Sequence, residues 1–326
     1  MRLTDRWFGT TLVVVLGLAG RTSSAQCSPD VQKLITDQRY DDAKAQVQAT
    51  LKRNEKDDAA LHCMGMIFIG QDKSKDAIEW FEKAIDANDK SSAHHLWLAN
   101  SLGDQADHTS KLKLPFLARR VKSEFDKAAQ LDPTSIDARH GLIQFYSQAP
   151  GVMGGSMDKA KEQAREIIKL SAWRGHYELA SLLEREKDVA NAEKEYAAAV
   201  AAAPDTTLPY QYLGSFYRRQ KRWDDAIKTY ETALQHRPDA KGLLLNIAYT
   251  INQSGQNLER GERETRAWLA SAPADAPKVN VATAHYLLGQ FAEKAGKKDV
   301  ARAEYQQSLA VVPTHADAKK ALEALK

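Results

Sequence analysis

Residues 207–240 read TLPYQYLGSFYRRQKRWDDAIKTYETALQHRPDA, and the spacing within this stretch decides the fold. Leu213-Gly214 is followed by Tyr217, Ala226, Tyr230, Ala233 and Pro238, at +3, +12, +16, +19 and +24 from the glycine. Apolar residues three, four and seven apart put one apolar stripe on each of two helices of roughly 12–14 residues. Glycine on the first helix and alanine on the second stand where the two cross, because a larger side chain would hold them apart. The aromatic at +16 fills the gap toward the next unit, and the proline ends the second helix, which it cannot continue. One such pair cannot cover its own apolar face, so pairs must stack.

The spacing recurs along the chain. Gly65 is followed at the same offsets by Phe68, Ala77, Phe81 and Ala84; Ala180 by Leu183, Ala192, Tyr196, Ala199 and Pro204; Gly289 by Ala301, Tyr305, Ser308 and Pro313. This pattern resembles the tetratricopeptide repeat family, over residues 26 to about 315. The resemblance implies an all-α, right-handed superhelical solenoid of antiparallel helix pairs, with a concave groove for a peptide or protein partner. Units are expected at 27–57, 58–91, 92–135, 136–172, 173–206, 207–240, 241–281 and 282–315, with a capping helix at 316–326, all in a single solenoid from residue 26.

The departures are informative. The first unit is degenerate, although Ser28-Pro29-Asp30 reads as an N-cap with proline at the first helical position. The third unit is ten residues too long, its excess lying between Ala106 and Val121. The fourth carries the enlarged turn Ala149–Ser156, and the seventh an irregular link from Ser271 to Asn280. The insertions in units three and four are expected on one side of the solenoid. They resemble paired insertions in an exported bacterial subset of the family, a resemblance that implies no activity.

The 326 residues carry a formal net charge of +3 and are 43% hydrophobic and 27% charged. That is the composition of a folded globular chain, too balanced in charge for one whose main task is coating nucleic acid. Arg2 and Arg6 precede the apolar run Thr11–Gly20, and Ser23 and Ala25 are small. This is the pattern of a signal peptide cut after Ala25, which places the mature chain in the periplasm or outside the cell. Such a cut removes three of 46 basic and one of 43 acidic residues, leaving +1. The run is too short to span a bilayer, which takes about 20 residues.

No catalytic signature is present: no HExxH, GxSxG, strand-borne GxGxxG or phosphate loop. The chain reads as a non-enzyme without cofactor or metal. The glycine-rich turn at 150–156 reads as a turn that needs positive dihedrals rather than a phosphate cradle. His62-Cys63-Met64 with Met66 holds soft ligands, but on a helix they diverge, so core packing is the better reading. His94, His95, His176 and His285 read as partly buried packing histidines. Cys27 and Cys63 are the only thiols. In an oxidising compartment they can pair, stapling the weak first unit by closing a loop of about 36 residues, worth about 3 kcal/mol in the chain-entropy model. The alternative is a buried, unpaired Cys63.

Two surfaces remain. In the family, first helices line the groove. Carried over unit by unit, the groove positions include His140, Gln144, Gln148, Arg174, Tyr177, Arg185, Gln211, Arg218, Arg219, Tyr249 and Asn252. They also include Ser181, Ser215, Gln253, Tyr286 and Gln290. This polar, partly cationic mixture suits peptide backbones and carboxylates. The Lys/Asn/Arg pattern of the chaperone-type carboxylate clamp is missing. The second surface is the basic insertion, Lys111, Lys113, Arg119, Arg120 and Lys122, interleaved with Leu112, Leu114, Phe116 and Leu117. Through it the protein can act as a cell-envelope assembly factor docked on an anionic membrane surface, or the insertion can be a solvated extension whose apolar residues cover the neighbouring helix.

Overall fold

The computed structural model describes residues 27–106 and 109–325; the expected signal segment and its cleavage site lie outside them. Among the described residues seventeen helices follow one another with no strand. The fold is an all-α solenoid of consecutively packed helix pairs. The chain divides into two compact units. The boundary falls between Leu182 and Leu183, inside a helix.

The first unit holds α1 (Pro29–Thr36) with α2 (Tyr40–Arg53), α3 (Asp58–Gly70) with α4 (Ser74–Ala87), α5 (Ser92–Asp104) with α6 (Leu114–Leu131), and α7 (Ile136–Gln148) with α8 (Met157–Leu170). It ends within α9 (Ala172–Arg185). The second unit continues with α10 (Val189–Ala202). Three pairs follow: α11 (Thr207–Arg219) with α12 (Trp223–His236), α13 (Gly242–Ser254) with α14 (Leu258–Ser271), and α15 (Lys278–Lys294) with α16 (Lys298–Val311). The closing helix α17 (Ala316–Ala324) packs on α16.

Local chemistry explains the element ends. Ser28 caps α1 by accepting from the Val31 amide, with Pro29 at the first turn. Asp57, Ser135, Ser156, Asp188 and His315 cap five other helices in the same way. The ten extra residues of the third pair become the α5–α6 connection and an extra turn, so α6 has 18 residues where α4 and α8 have 14. The enlarged turn of the fourth pair contains a 3₁₀ turn at Gly151–Met153 and Gly154 at φ 98°. It packs against α6, so the two insertions adjoin. Helix α15 begins at Lys278, a turn before the eighth unit was expected to start.

Three glycines at helix crossings, Gly65, Gly214 and Gly289, owe their size to an aromatic ring rather than to a facing backbone. A Cβ at Gly65 would stand 2.5 Å from the Phe81 ring, at Gly214 2.4 Å from Tyr230, and at Gly289 2.4 Å from Tyr305. In each case the ring comes from the second helix of the same pair, so the aromatic at +16 closes its own pair as well as the gap to the next. Phe81, Tyr230 and Tyr305 are completely buried, and so are Ala77, Ala226 and Ala301. At +19, where other units place alanine, Ser308 is buried with no partner for its hydroxyl, at a cost of about 1–3 kcal/mol.

Replacing Gly214 with leucine therefore drives a side chain into a ring with nowhere to go. We expect Gly214→Leu to destabilise the second unit by about 3 kcal/mol. The expected reading is a fall in the urea midpoint of the 222 nm helical signal; an unchanged midpoint would refute the register.

Candidate functional site

In the first unit, polar groups from successive repeats meet inside the packing. His94 Nε2 lies 3.1 Å from Asp58 Oδ2, and its Nδ1 lies 3.1 Å from His62 Nδ1. Asp58 also accepts from Asn88 Nδ2 at 2.8 Å. A carboxylate at Asp58 takes the His94 Nε2–H, which leaves His94 Nδ1 to accept from His62. In this arrangement His94 is neutral. Burial, reinforced by the neighbouring His94, pushes His62 from 6.5 down to about 3. Burial also lowers His94, against the opposing pull of Asp58. Asp58 is lowered too, because the bonds from Asn88 and His94 outweigh its burial. Among the described residues no group of three or more His, Cys, Asp or Glu side chains could hold a metal ion.

His95 meets Glu124 Oε2 at 2.6 Å and His285 meets Glu304 Oε2 at 2.8 Å. The two pairs are the same contact once the ten inserted residues are discounted. Cys27 and Cys63 are joined, their Cα atoms 5.5 Å apart across 36 residues of sequence. The bridge ties the entrance of α1 to α3, beside a core of Val31, Leu34, Val47, Met64 and Ile67.

The groove positions divide between the two units. In the first, His140 Nδ1 contacts Glu178 Oε1 at 2.7 Å, and Gln144 reaches His140 Nε2 at 2.8 Å. Burial disfavours charge on His140, but Glu178 and Asp137 outweigh it and raise its pKa. Gln148, Arg174 and Tyr177 are half-buried, and Arg174 lies over the Trp173 ring at 5.4 Å.

In the second unit, Arg185 is exposed and Gln211 half-buried. Arg219 was expected to face the groove as a cation, but it is held by Glu184 through two bonds of 2.6 and 2.8 Å. Asn252, expected on the groove surface, is buried and bonded to Gln290 and Lys294. Gln290 in turn donates to the Tyr286 hydroxyl at 2.7 Å. Arg218 lies flat over the Tyr249 ring at 4.5 Å, with no carboxylate partner among the described residues, and its Nε is buried without a hydrogen bond.

The reason lies at one repeat position. Four residues beyond the crossing, Glu184 and Glu293 accept from Tyr196 at 3.0 Å and Tyr305 at 2.7 Å. Arg218 occupies the equivalent place. Tyr230 then turns to Ser215 at 3.5 Å, and the arginine is left over.

Lys294 is the site residue that the sequence reading missed. It has the same offset from Gly289 as Arg219 from Gly214, which was the available signal. Its amine donates to the carbonyl and side-chain oxygens of Asn252, and burial lowers its pKa against the attraction of Glu293.

In the basic insertion, Lys111, Lys113, Arg119 and Arg120 are exposed and Lys122 is half-buried. Arg120 pairs with Glu82 and Lys122 with Asp126.

The sequence matches the tetratricopeptide repeat family over residues 33–92, 154–206 and 208–240. Yeast Tom70 is similar in structure, with a TM-score of 0.63 at 15% identity, over 93% of this chain and 61% of that one. A tetratricopeptide repeat protein from Parabacteroides merdae has a TM-score of 0.50 at 12% identity, over 81% and 97%. A chain of the Cut9–Hcn1 hetero-tetramer of the APC/C has 0.46 at 14%, over 90% and 48%. This chain thus spans less than two thirds of the length of the Tom70 and Cut9–Hcn1 chains. No curated protein matches the sequence. Tetratricopeptide repeat models thus match three segments of the chain, and the all-helical fold of stacked pairs agrees with them.

The buried histidines have a measurable consequence. Groups held below their unfolded pKa contribute stability that is complete above about 6.5 and lost as pH falls toward the folded value. Urea titrations of the first unit should show stability falling below pH 6.5, by up to about 1.4 kcal/mol per pH unit for each histidine. His62→Gln should flatten that slope; an equal slope in the variant would mean that His62 is protonated in the folded protein.

Proposed function

We propose that the protein is an exported, non-enzymatic scaffold that holds an extended acidic protein segment against the first helices of its repeats. The observation that carries this reading is Arg218. Of the cations on the first helices it is already stripped of part of its hydration, stacked on Tyr249 and lacking a carboxylate. A carboxylate placed there gains a charge-assisted bond with little further ordering cost. Gln290 and Tyr286 offer amide and hydroxyl groups to a peptide backbone from the next first helix but one. Export is supported by the residue pattern of 1–25 and by the Cys27–Cys63 bridge, which suits an oxidising compartment.

The test is affinity capture by the mature chain from envelope extract, quantified by mass spectrometry. Arg218→Glu should reduce recovery of the captured segment about tenfold or more, the scale of a lost charged hydrogen bond. Arg219→Glu, whose native residue is already engaged by Glu184, should cost less. Equal recovery with Arg218→Glu would remove the groove reading. For export, the chain expressed at full length and recovered from the periplasm should begin at Gln26; an intact Met1 terminus would remove that half.

A further inference from the structure

The insertion between α5 and α6 is split by its packing. Leu114 and Leu117 turn inward and line an apolar pocket with Ala106, Ala118, Val121 and Phe145. Leu112 and Phe116 do the opposite. They stand 84% and 70% exposed, and Val152, on the 3₁₀ turn that packs against α6, is 95% exposed. These are the three most exposed large apolar side chains among the described residues. A solvated extension covering its neighbour would have hidden Leu112 and Phe116 as well.

The charge around them has one sign. The stretch Thr109–Lys122 contains five basic residues and no acidic one. Glu82 and Asp126 neutralise Arg120 and Lys122, and Lys122 also lies over the Tyr146 ring. Lys111, Lys113 and Arg119 have no carboxylate partner among the described residues, and Arg119 rests 6.0 Å from the centre of the Phe116 ring. The apolar tips therefore emerge from a cationic collar.

From this arrangement we infer that residues 111–119, together with Val152 on the turn that packs against α6, form a peripheral docking site for an anionic phospholipid surface. A protein occupant would need a hollow shaped to three protruding side chains. A bilayer interface accepts them without matching shape, while headgroup phosphates take the lysines and arginine. The contact combines the two signals that membrane attachment requires, apolar insertion and basic charge. No described helix is long and apolar enough to cross a membrane, so the site is interfacial.

The experiment is co-sedimentation of the mature chain with vesicles of phosphatidylcholine, alone or mixed with phosphatidylglycerol. Three unpaired basic residues predict roughly 100-fold tighter binding to the anionic vesicles, weakened by added salt. Leu112→Ser with Phe116→Ser removes only exposed side chains, so helicity should stay intact while binding falls at least about tenfold. Lys111→Glu, Lys113→Glu and Arg119→Glu together should abolish the preference for anionic lipid. Arg218→Glu, in the other unit, should bind vesicles normally, which keeps this test separate from that of the groove. Absent or lipid-independent binding, or binding that the serine pair leaves unchanged, overturns the proposal. So does a dimer in sedimentation velocity that the serine pair dissociates without any effect on vesicles, since the face would then join two copies of the chain.

Discussion

A buried aromatic ring lying on a helix that has no side chain beneath it is the contact on which three of the pairs are built. Gly65 with Phe81, Gly214 with Tyr230 and Gly289 with Tyr305 each bring ring atoms where a Cβ would stand, within 2.4–2.5 Å. Glycine inside a helix costs about 1 kcal/mol relative to alanine, and here that cost is offset by the burial of a whole ring. Because the ring is fixed by its own pair, its outer edge is a fixed surface for the next pair. Stacking then follows without further specification, which is how repeat arrays gain stability from nearest neighbours.

The same contact decides the chemistry at the rim. A tyrosine ring directed at the crossing carries its hydroxyl past it, toward the residue four places on along the first helix. Where that residue is Glu184 or Glu293, the hydroxyl donates to a carboxylate, and at Tyr305 this bond and burial together raise the phenol's pKa. Glu184 also accepts both bonds from Arg219. One carboxylate thus serves the internal packing and neutralises an external cation. With arginine at the same place, neither happens, and a cation is released from structural duty.

The fold was legible because the core obeys a period. The positions that set it, from Gly65 and Phe81 to Gly289 and Tyr305, are fixed by volume, and volume can be read from residue type. The site was legible only in outline. That Arg218 and Tyr249 lie on first helices follows from register, but that Arg219 is neutralised and Asn252 buried depends on which way long side chains turn. Those directions are set by partners about 35–38 residues away, Glu184 and Gln290, whose own role no spacing rule announces. The division of the chain inside α9 likewise has no mark in the sequence. Leu182-Leu183 reads there as ordinary helix.

Repetition sharpens the functional argument, because a core shared by every unit cannot distinguish one protein of this architecture from another. The proposed recognition therefore lies where units differ. Two kinds of difference occur here. Some stay inside, as in the His62–His94 contact and the orphaned Ser308 hydroxyl. Others reach the surface, as with Arg218 and the residues of the α5–α6 insertion. Arg218 is the more telling of these. Its guanidinium has given up water on one face to Tyr249 and on its Nε to burial, without gaining a carboxylate. Folding has therefore already borne the desolvation that usually opposes ion pairing, so an incoming carboxylate meets a cation whose competing hydration is weakest where the new bond would form.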